Sequence, residues 1–183
     1  KKELGVDKIN KKIVLVTCGS QGAKKINETI LELLRKYQDE DIYYILVTGD
    51  KNYIDIKKKK EEIEKDINKS LDNSIRLEKF VYDMEKMYKI SDLCVTRAGA
   101  MTITELTISK NRAILIPLPS AAENHQFYNA KVLEKAKSGR IIEQKDLNAE
   151  KLHTIIKEML NFSDKCYLDG MSKILINDVN ERI

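Results

Sequence analysis

The sequence predicts an α/β domain in which a Rossmann-like parallel sheet of six strands carries helices on both faces. Short apolar runs alternate with longer amphipathic stretches along the whole chain. The runs Ile13–Thr17 and Ile42–Val47 are continuous, as is typical of strands buried on both faces. Strands that are buried on both faces and separated by helices indicate a parallel sheet covered on each side.

Each predicted strand is an apolar run followed by residues that are typical of turns. The first, Ile13–Thr17, is mostly β-branched and leads into Cys18-Gly19-Ser20. The second, Ile42–Val47, ends at Thr48-Gly49-Asp50. The other strands are predicted at Ile75–Val81, Leu93–Thr96, Arg112–Pro117 and Gly139–Glu143.

The segments between the strands show helical periodicity. Apolar residues recur at helical spacing over 26–37 and along one side of a Lys- and Glu-rich helix at Ile54–Ser70. In that helix two glutamates follow the run Lys57–Lys60, which favours a solvated face with i,i+4 ion pairs over an anion-binding site. Further helices are predicted at Met84–Ile90, Thr102–Ser109, Asn124–Ala136, Ala149–Leu160 and Asp164–Asn177.

The composition is that of one globular domain with a weak basic bias. Lys and Arg number 33 against 29 acidic residues, for a formal net charge of +4. Only six of the basic residues are Arg, Trp is absent and aromatic residues make up 6%, so base-stacking platforms and bidentate phosphate clamps are sparse. We therefore expect a single domain over residues 1–183 and no nucleic-acid partner.

Cysteine usage and hydropathy predict a cytoplasmic protein. Cys18, Cys94 and Cys166 lie more than seventy residues apart without a C-x-x-C pair or a nearby His, which excludes a zinc module and disfavours disulfides. No apolar run has the length of a membrane span, and Lys1–Lys12 is too polar for a signal peptide. Lys1 is not Met, so we expect the chain to belong to a longer protein.

Three strand ends carry unusual chemistry, and parallel sheets bind ligands beyond the carboxyl ends of their strands. The first is the loop Gly19–Ala23, whose two glycines let the backbone approach a ligand. The following helix offers unpaired N–H groups, and Ser20 adds a hydroxyl, which together suit a diphosphate. A purely structural tight turn explains the loop equally well.

The second is Arg97–Glu105, where a strand ends and a helix begins among small residues. Thr102 can cap this helix or donate to a ligand. Glu105, in the first helical turn, can accept hydrogen bonds from both hydroxyls of a ribose. The same pair matches the capping box S/T-x-x-E, so a structural role is equally compatible with the sequence.

The third is Glu123–Ala130, where amide, imidazole and acid side chains open a helix. Amides both donate and accept hydrogen bonds, which suits sugar hydroxyls. A polar amino-terminal turn accounts for Asn124 but not easily for Gln126 and Asn129 together. No Ser, Cys or Asp partner stands at a usable spacing from His125, so we expect no hydrolase triad.

In this order, the three stretches resemble the carboxyl-terminal half of the MurG family. These bacterial transferases move N-acetylglucosamine from UDP-N-acetylglucosamine onto undecaprenyl-diphosphate-muramoyl-pentapeptide in peptidoglycan synthesis. The matching motifs are G-S-Q-G-A at Gly19–Ala23, R-A-G-A-x-T-x-x-E at Arg97–Glu105 and N-H-Q-x-x-N-A at Asn124–Ala130. Each motif alone is weak, but three at family-like spacing are specific.

The resemblance implies the second domain of a GT-B glycosyltransferase, which holds the donor and needs no metal or other cofactor. Ser20 would contact the diphosphate, Ala100–Thr104 would line the diphosphate and ribose, and Glu105 would hold the ribose hydroxyls. The main chain around Val81 would read the uracil edge, and Gln126 would bind the sugar. The implied donor-binding set is Gly19, Ser20, Gln21, Val81, Ala100, Met101, Thr102, Ile103, Thr104, Glu105, His125 and Gln126.

The chain departs from the family in two respects. Cys18 stands where the family more often has Gly, and its side chain would either crowd the phosphate loop or point into the sheet. The family's first domain, with the acceptor site, the catalytic base and the membrane-contacting patch, has no counterpart here. We therefore expect no catalytic residue in this fragment, and a partner domain in a longer chain or a separate subunit. The resemblance places the full-length protein peripherally on the cytoplasmic face of the cell membrane.

Other functions stay compatible with these motifs. A soluble donor-binding subunit of a two-subunit N-acetylglucosaminyltransferase would carry them, as would a related GT-B enzyme such as a UDP-N-acetylglucosamine epimerase. A nicotinamide dehydrogenase is the generic Rossmann alternative, but no G-x-G-x-x-G follows the first strand. The leading prediction is a UDP-N-acetylglucosamine-binding domain of a transferase.

Overall fold

The computed structural model describes residues 9–18, 23–162, 171–172 and 174. In this part of the chain six strands form one sheet, with the order β3-β2-β1-β4-β5-β6 and every neighbouring pair parallel. The predicted Rossmann-like sheet is confirmed, and its strand order reverses between β1 and β4. The strands are β1 (Lys12–Thr17), β2 (Ile42–Val47), β3 (Ile75–Glu78), β4 (Leu93–Thr96), β5 (Ala113–Leu115) and β6 (Gly139–Ile141).

Helices cover both faces of the sheet, as predicted. Alternate residues of β1 point to opposite faces: Val14 and Val16 join the apolar cluster beneath α1, α2 and α6, and Ile13 and Leu15 join the cluster beneath α3, α4 and α5. The helices are α1 (Lys24–Lys36), α2 (Asp50–Asp66), α3 (Met84–Ile90), α4 (Ala100–Ser109), α5 (His125–Lys135) and α6 (Ala149–Asn161).

Three strands are shorter than the sequence predicts, and one of them, β6, ends at Ile141 and not at Glu143, opposite the last residue of β5. β3 ends at Glu78 and not at Val81, because Glu78 pairs with Val47, the last residue of β2. β5 spans Ala113–Leu115 and not Arg112–Pro117, since Leu115 already lies opposite the last residue of β4. Strand length is therefore set by the neighbouring strand and not by the length of the apolar run.

Helix boundaries differ as well. α2 begins at Asp50, four residues before the predicted Ile54, because Gly49 adopts a φ of 78° and turns the chain directly into the helix. It ends at Asp66 and not at Ser70. The helix predicted at Asp164–Asn177 lies almost wholly outside the described residues.

The lysine run of α2 contains one buried charge. Lys60 is 9% exposed and pairs with Glu64 and with Asp72, each at 2.7 Å. The Lys60–Glu64 contact is the i,i+4 type that the sequence predicts, although Lys60 itself is not solvated. Hydrogen bonds from Lys60 hold the pKa of Asp72 below its usual value. Burial alone would raise the pKa of Glu64, but bonds from Lys60 and the Leu71 N–H lower it.

We therefore expect the protein to lose stability in acid, because protonation of Glu64 and Asp72 breaks their ion pairs with Lys60. A carboxyl group with a depressed folded-state pKa stabilises the fold above its unfolded pKa, and that contribution is lost as pH falls through the folded-state pKa. We expect Lys60→Met to flatten the decline in unfolding free energy between about pH 5 and pH 2, measured by urea titration. Lys58→Met, at an exposed position of the same helix, is the control. Parallel pH profiles for all three proteins would contradict this assignment.

Candidate functional site

Neighbouring strands bring the three predicted stretches to one edge of the sheet. β1 pairs with β4 and β4 with β5, so the segments that follow these strands emerge side by side. Arg97–Glu105 follows β4, and Glu123–Ala130 belongs to the β5–α5 connection and the start of α5. The loop residues Gly19, Ser20 and Gln21 lie outside the described residues, so their contact with a diphosphate stays a prediction.

The amino terminus of α4 opens at this edge without a side-chain cap. Gly99 occupies the N-cap position with φ −65° and ψ 150°, and helical bonding starts with the Ile103 N–H donating to Gly99 O at 3.0 Å. Because the helix begins at Ala100, Thr102 lies within it and the capping box of Thr102 with Glu105 is wrong. The first-turn N–H groups lack partners within the helix, as an anion-binding helix end requires.

Glu105 faces the neighbouring helix α3. Its Oε2 accepts a hydrogen bond from the Tyr88 hydroxyl at 3.0 Å, and its side chain is half-buried. The sequence analysis missed this partner, because Tyr88 is 17 residues away and its approach depends on how α3 packs against α4. Glu105 therefore lies in the second turn of α4, and not in the first as predicted, with its carboxylate hydrogen-bonded to Tyr88.

Two amides of α5 hold the turn that precedes α4. Gln126 Oε1 accepts hydrogen bonds from the N–H groups of Leu118 (3.0 Å) and Ala98 (3.3 Å). Asn129 Nδ2 donates to Ala98 O at 3.0 Å. This joint structural role accounts for both amides, which the sequence analysis could not explain with a polar turn. Because Oε1 of Gln126 accepts both of these hydrogen bonds, its Nε2 is the side-chain atom left to donate a further one.

Arg97 ties together the loops beneath the site. Its Nη1 donates to Ile116 O (3.0 Å) and Pro117 O (3.2 Å), and its Nη2 donates to Gln144 Oε1 (2.6 Å). Burial lowers the pKa of Arg97 from its ordinary value, which still leaves the guanidinium charged. The conformations after β4, β5 and β6 are thus coupled through one side chain.

Cys18 follows β1 beside Arg97. Burial raises the pKa of its thiol to about 12, and the nearby Arg97 charge offsets this only in part. The side chain packs against the cluster beneath α1, as in the predicted alternative in which it points into the sheet. Cys18 is therefore a neutral packing residue at neutral pH.

The other predicted site residues divide by exposure. Met101 and Thr104 lie exposed on α4, whereas Ile103 and Val81 pack against the cluster beneath α3, α4 and α5. The backbone groups of Ile103 are engaged, since its N–H donates to Gly99 O and its carbonyl accepts from Thr107 Oγ1. For Val81 the sequence analysis assigned a main-chain contact, which stays a prediction. His125 is exposed at the first residue of α5.

Two exposed aromatic side chains flank Val81. The Phe80 and Tyr82 rings meet edge to face at 5.0 Å, and Tyr82 is 97% exposed. Within the described ranges no three His, Cys, Asp or Glu side chains converge as a metal site. No helix in that part of the chain is long and apolar enough to cross a membrane.

The fold is that of the carboxyl-terminal domain of a GT-B glycosyltransferase. The chain belongs to the glycosyltransferase family 28 C-terminal domain family, whose profile matches residues 13–180. The resemblance inferred from the three motifs is thereby confirmed at the level of the family.

Individual relatives agree with this assignment. The chain is 39% identical over 165 residues to the UDP-N-acetylglucosamine--N-acetylmuramyl-(pentapeptide) pyrophosphoryl-undecaprenol N-acetylglucosamine transferase of Caldanaerobacter subterraneus, covering 88% of this chain but 44% of that protein. The crystal structure of Acinetobacter baumannii MurG superposes with a TM-score of 0.75 at 25% identity, covering 97% of this chain and 51% of that one. The C-terminal CMP-Kdo binding domain of WaaA from the same organism shares the fold, with a TM-score of 0.68 at 14% identity over 95% of this chain and 93% of that one.

Proposed function

We propose that residues 1–183 form a single UDP-N-acetylglucosamine-binding domain, the donor half of a transferase that makes the lipid-linked disaccharide precursor of peptidoglycan. The observation that carries this proposal is the uncapped amino terminus of α4 at the strand-order reversal, with Glu105 fixed on the same helix. The 39% identity to the Caldanaerobacter transferase supports the choice of donor.

In the proposed complex each part of the donor contacts a different group of residues. The α4 N–H groups, together with Gly19–Gln21, would neutralise the diphosphate. Glu105 would accept hydrogen bonds from the ribose hydroxyls, and the main chain around Val81 would pair with uracil. Gln126 Nε2, with His125 beside it, would donate to an oxygen of the sugar. The chain's own residues thus bind and orient the donor.

The acceptor would bind elsewhere. This chain spans 44% of the length of the Caldanaerobacter relative, so we propose that an amino-terminal domain, in the same protein or a separate subunit, completes the enzyme. Such an enzyme would work at the cytoplasmic membrane surface, where an undecaprenol-linked acceptor is anchored. Donor binding and acceptor binding would then belong to opposite walls of a cleft.

Calorimetric titration tests the proposal directly. The 183-residue chain should bind UDP-N-acetylglucosamine and UDP, bind UDP-glucose more weakly and leave NAD unbound. Preference for NAD, or no binding of any uridine nucleotide, would refute it.

Substitutions at Gln126 separate its two roles. Gln126→Glu keeps an oxygen for the two backbone N–H groups but lacks the Nε2 donor. We expect it to weaken UDP-N-acetylglucosamine binding by about 0.5–1.5 kcal/mol more than it weakens UDP binding, because the added negative charge acts on the diphosphate of both ligands, with thermal stability nearly unchanged. Gln126→Ala should lower the melting temperature as well, because it leaves the N–H groups of Ala98 and Leu118 unpaired. Equal losses for UDP and the UDP-sugar in Gln126→Glu would exclude the sugar contact.

A further inference from the structure

The Tyr88 side chain is buried beneath the helices, and its hydroxyl is hydrogen-bonded to a carboxylate of the candidate site. Tyr88 is 3% exposed, and its hydroxyl donates to Glu105 Oε2 at 3.0 Å. No second hydrogen bond to this carboxylate comes from the residues that the structure describes. One carboxylate oxygen, Oε2, thus accepts from Tyr88, and the other, Oε1, has no hydrogen-bond partner among the described residues.

Tyr88 is itself held in place by its surroundings. Asn111, which follows α4, donates from Nδ2 to Tyr88 O and to Ser91 O, both at 3.0 Å, so the end of α3 is tied to the end of α4. The Tyr88 ring packs in the apolar cluster beneath α3, α4 and α5. Burial raises the pKa of Tyr88, with further increases from Cys94 and Glu105, so the hydroxyl remains a donor at any pH at which the protein works.

We propose that Tyr88 is a positioning residue for ribose recognition, holding Glu105 in the rotamer that presents its carboxylate to the 2′ and 3′ hydroxyls. This inference rests on the proposed function, in which Glu105 accepts from those hydroxyls. A glutamate side chain loses rotamer entropy when it binds a ligand, and an anchor that is already in place removes part of that loss. A buried hydroxyl partner also fixes which carboxylate oxygen faces the ligand.

Tyr88→Phe tests the anchor, because it removes only the hydroxyl. In the 183-residue chain we expect the Kd for UDP to rise about 3- to 10-fold. The Kd for 2′-deoxy-UDP, which offers one hydroxyl fewer, should rise less, so the preference for UDP over 2′-deoxy-UDP should shrink. In a Glu105→Gln background, Tyr88→Phe should cause little further loss of UDP affinity.

Tyr44→Phe is the matched control. Tyr44 is 1% exposed, and its hydroxyl has no hydrogen-bond partner among the described residues, so this variant removes a buried hydroxyl beneath the other helical layer. It should leave both affinities unchanged, and circular dichroism should show that every variant is folded.

The outcomes separate this inference from the function on which it rests. Unchanged UDP affinity in Tyr88→Phe, equal losses for UDP and 2′-deoxy-UDP, or a loss fully additive with Glu105→Gln would each overturn the positioning role while the proposed function stands. A wild-type chain that binds no uridine nucleotide would overturn both.

Discussion

The 183-residue chain alone is expected to transfer no N-acetylglucosamine to a lipid-linked muramoyl acceptor, and turnover is expected once an amino-terminal domain from a MurG relative is fused or added in trans. Transfer requires a base within hydrogen-bond reach of the acceptor hydroxyl. His153, on α6, is stacked on Tyr37 at 3.9 Å and lies 2.8 Å from Asp39, so it serves packing between α6 and the end of α1. His125 lies exposed at the first residue of α5, and in the proposed enzyme it would face the donor sugar.

Transfer is best measured with a labelled donor and a lipid-linked acceptor, comparing the chain alone, the fused protein and a reaction without enzyme. The expected change is from background to a turnover in the ordinary enzyme range of about 1–10³ s⁻¹. His153→Gln in the fused protein should keep this turnover, since His153 belongs to a structural contact. Transfer by the isolated chain above background would mean that the catalytic base lies within it.

The four inner strands β2, β1, β4 and β5 could be predicted because each is an apolar run that is almost wholly buried, which leaves it one favourable arrangement. Ile42–Val47 is buried at every position and matches its predicted bounds. The end of β3 could not be read from the sequence, since Phe80 and Val81 continue the apolar pattern beyond Glu78. What ends the strand there is the loss of a β2 partner, which is a property of the sheet and not of the run.

The candidate site, too, could be predicted from the sequence only in part. The motif at Arg97–Glu105 correctly marked the segment that follows β4, but its capping interpretation required the N-cap to lie three residues later, at Thr102 and not at Gly99. The bonds between Gln126 and Ala98 and between Tyr88 and Glu105 join residues that are 28 and 17 apart in the sequence. Such pairs have no local spacing signal, because they form only when helices pack on a common sheet.

Glu105→Gln is expected to weaken UDP binding more than any other single change at the site. In the proposed complex a charged carboxylate accepts hydrogen bonds from the ribose, and such bonds contribute about 1.5–3 kcal/mol. Their loss corresponds to a Kd increase of about 10- to 150-fold, measurable by calorimetry. The amide of Gln keeps an oxygen that can accept from the Tyr88 hydroxyl, so the α3–α4 contact survives and the melting temperature should change little.

The control for this charge change is Glu158→Gln, at an exposed position of α6 beneath the other face of the sheet. It removes one negative charge without touching the α4 edge and should leave the Kd within twofold of wild type. If Glu105→Gln leaves the UDP affinity at the wild-type value, the carboxylate does not bind the ribose and serves only to join α4 to α3, a contact that the amide preserves. The two measurements therefore assign Glu105 either to the ligand or to the fold, because the amide preserves the bond to Tyr88 and removes only the charge.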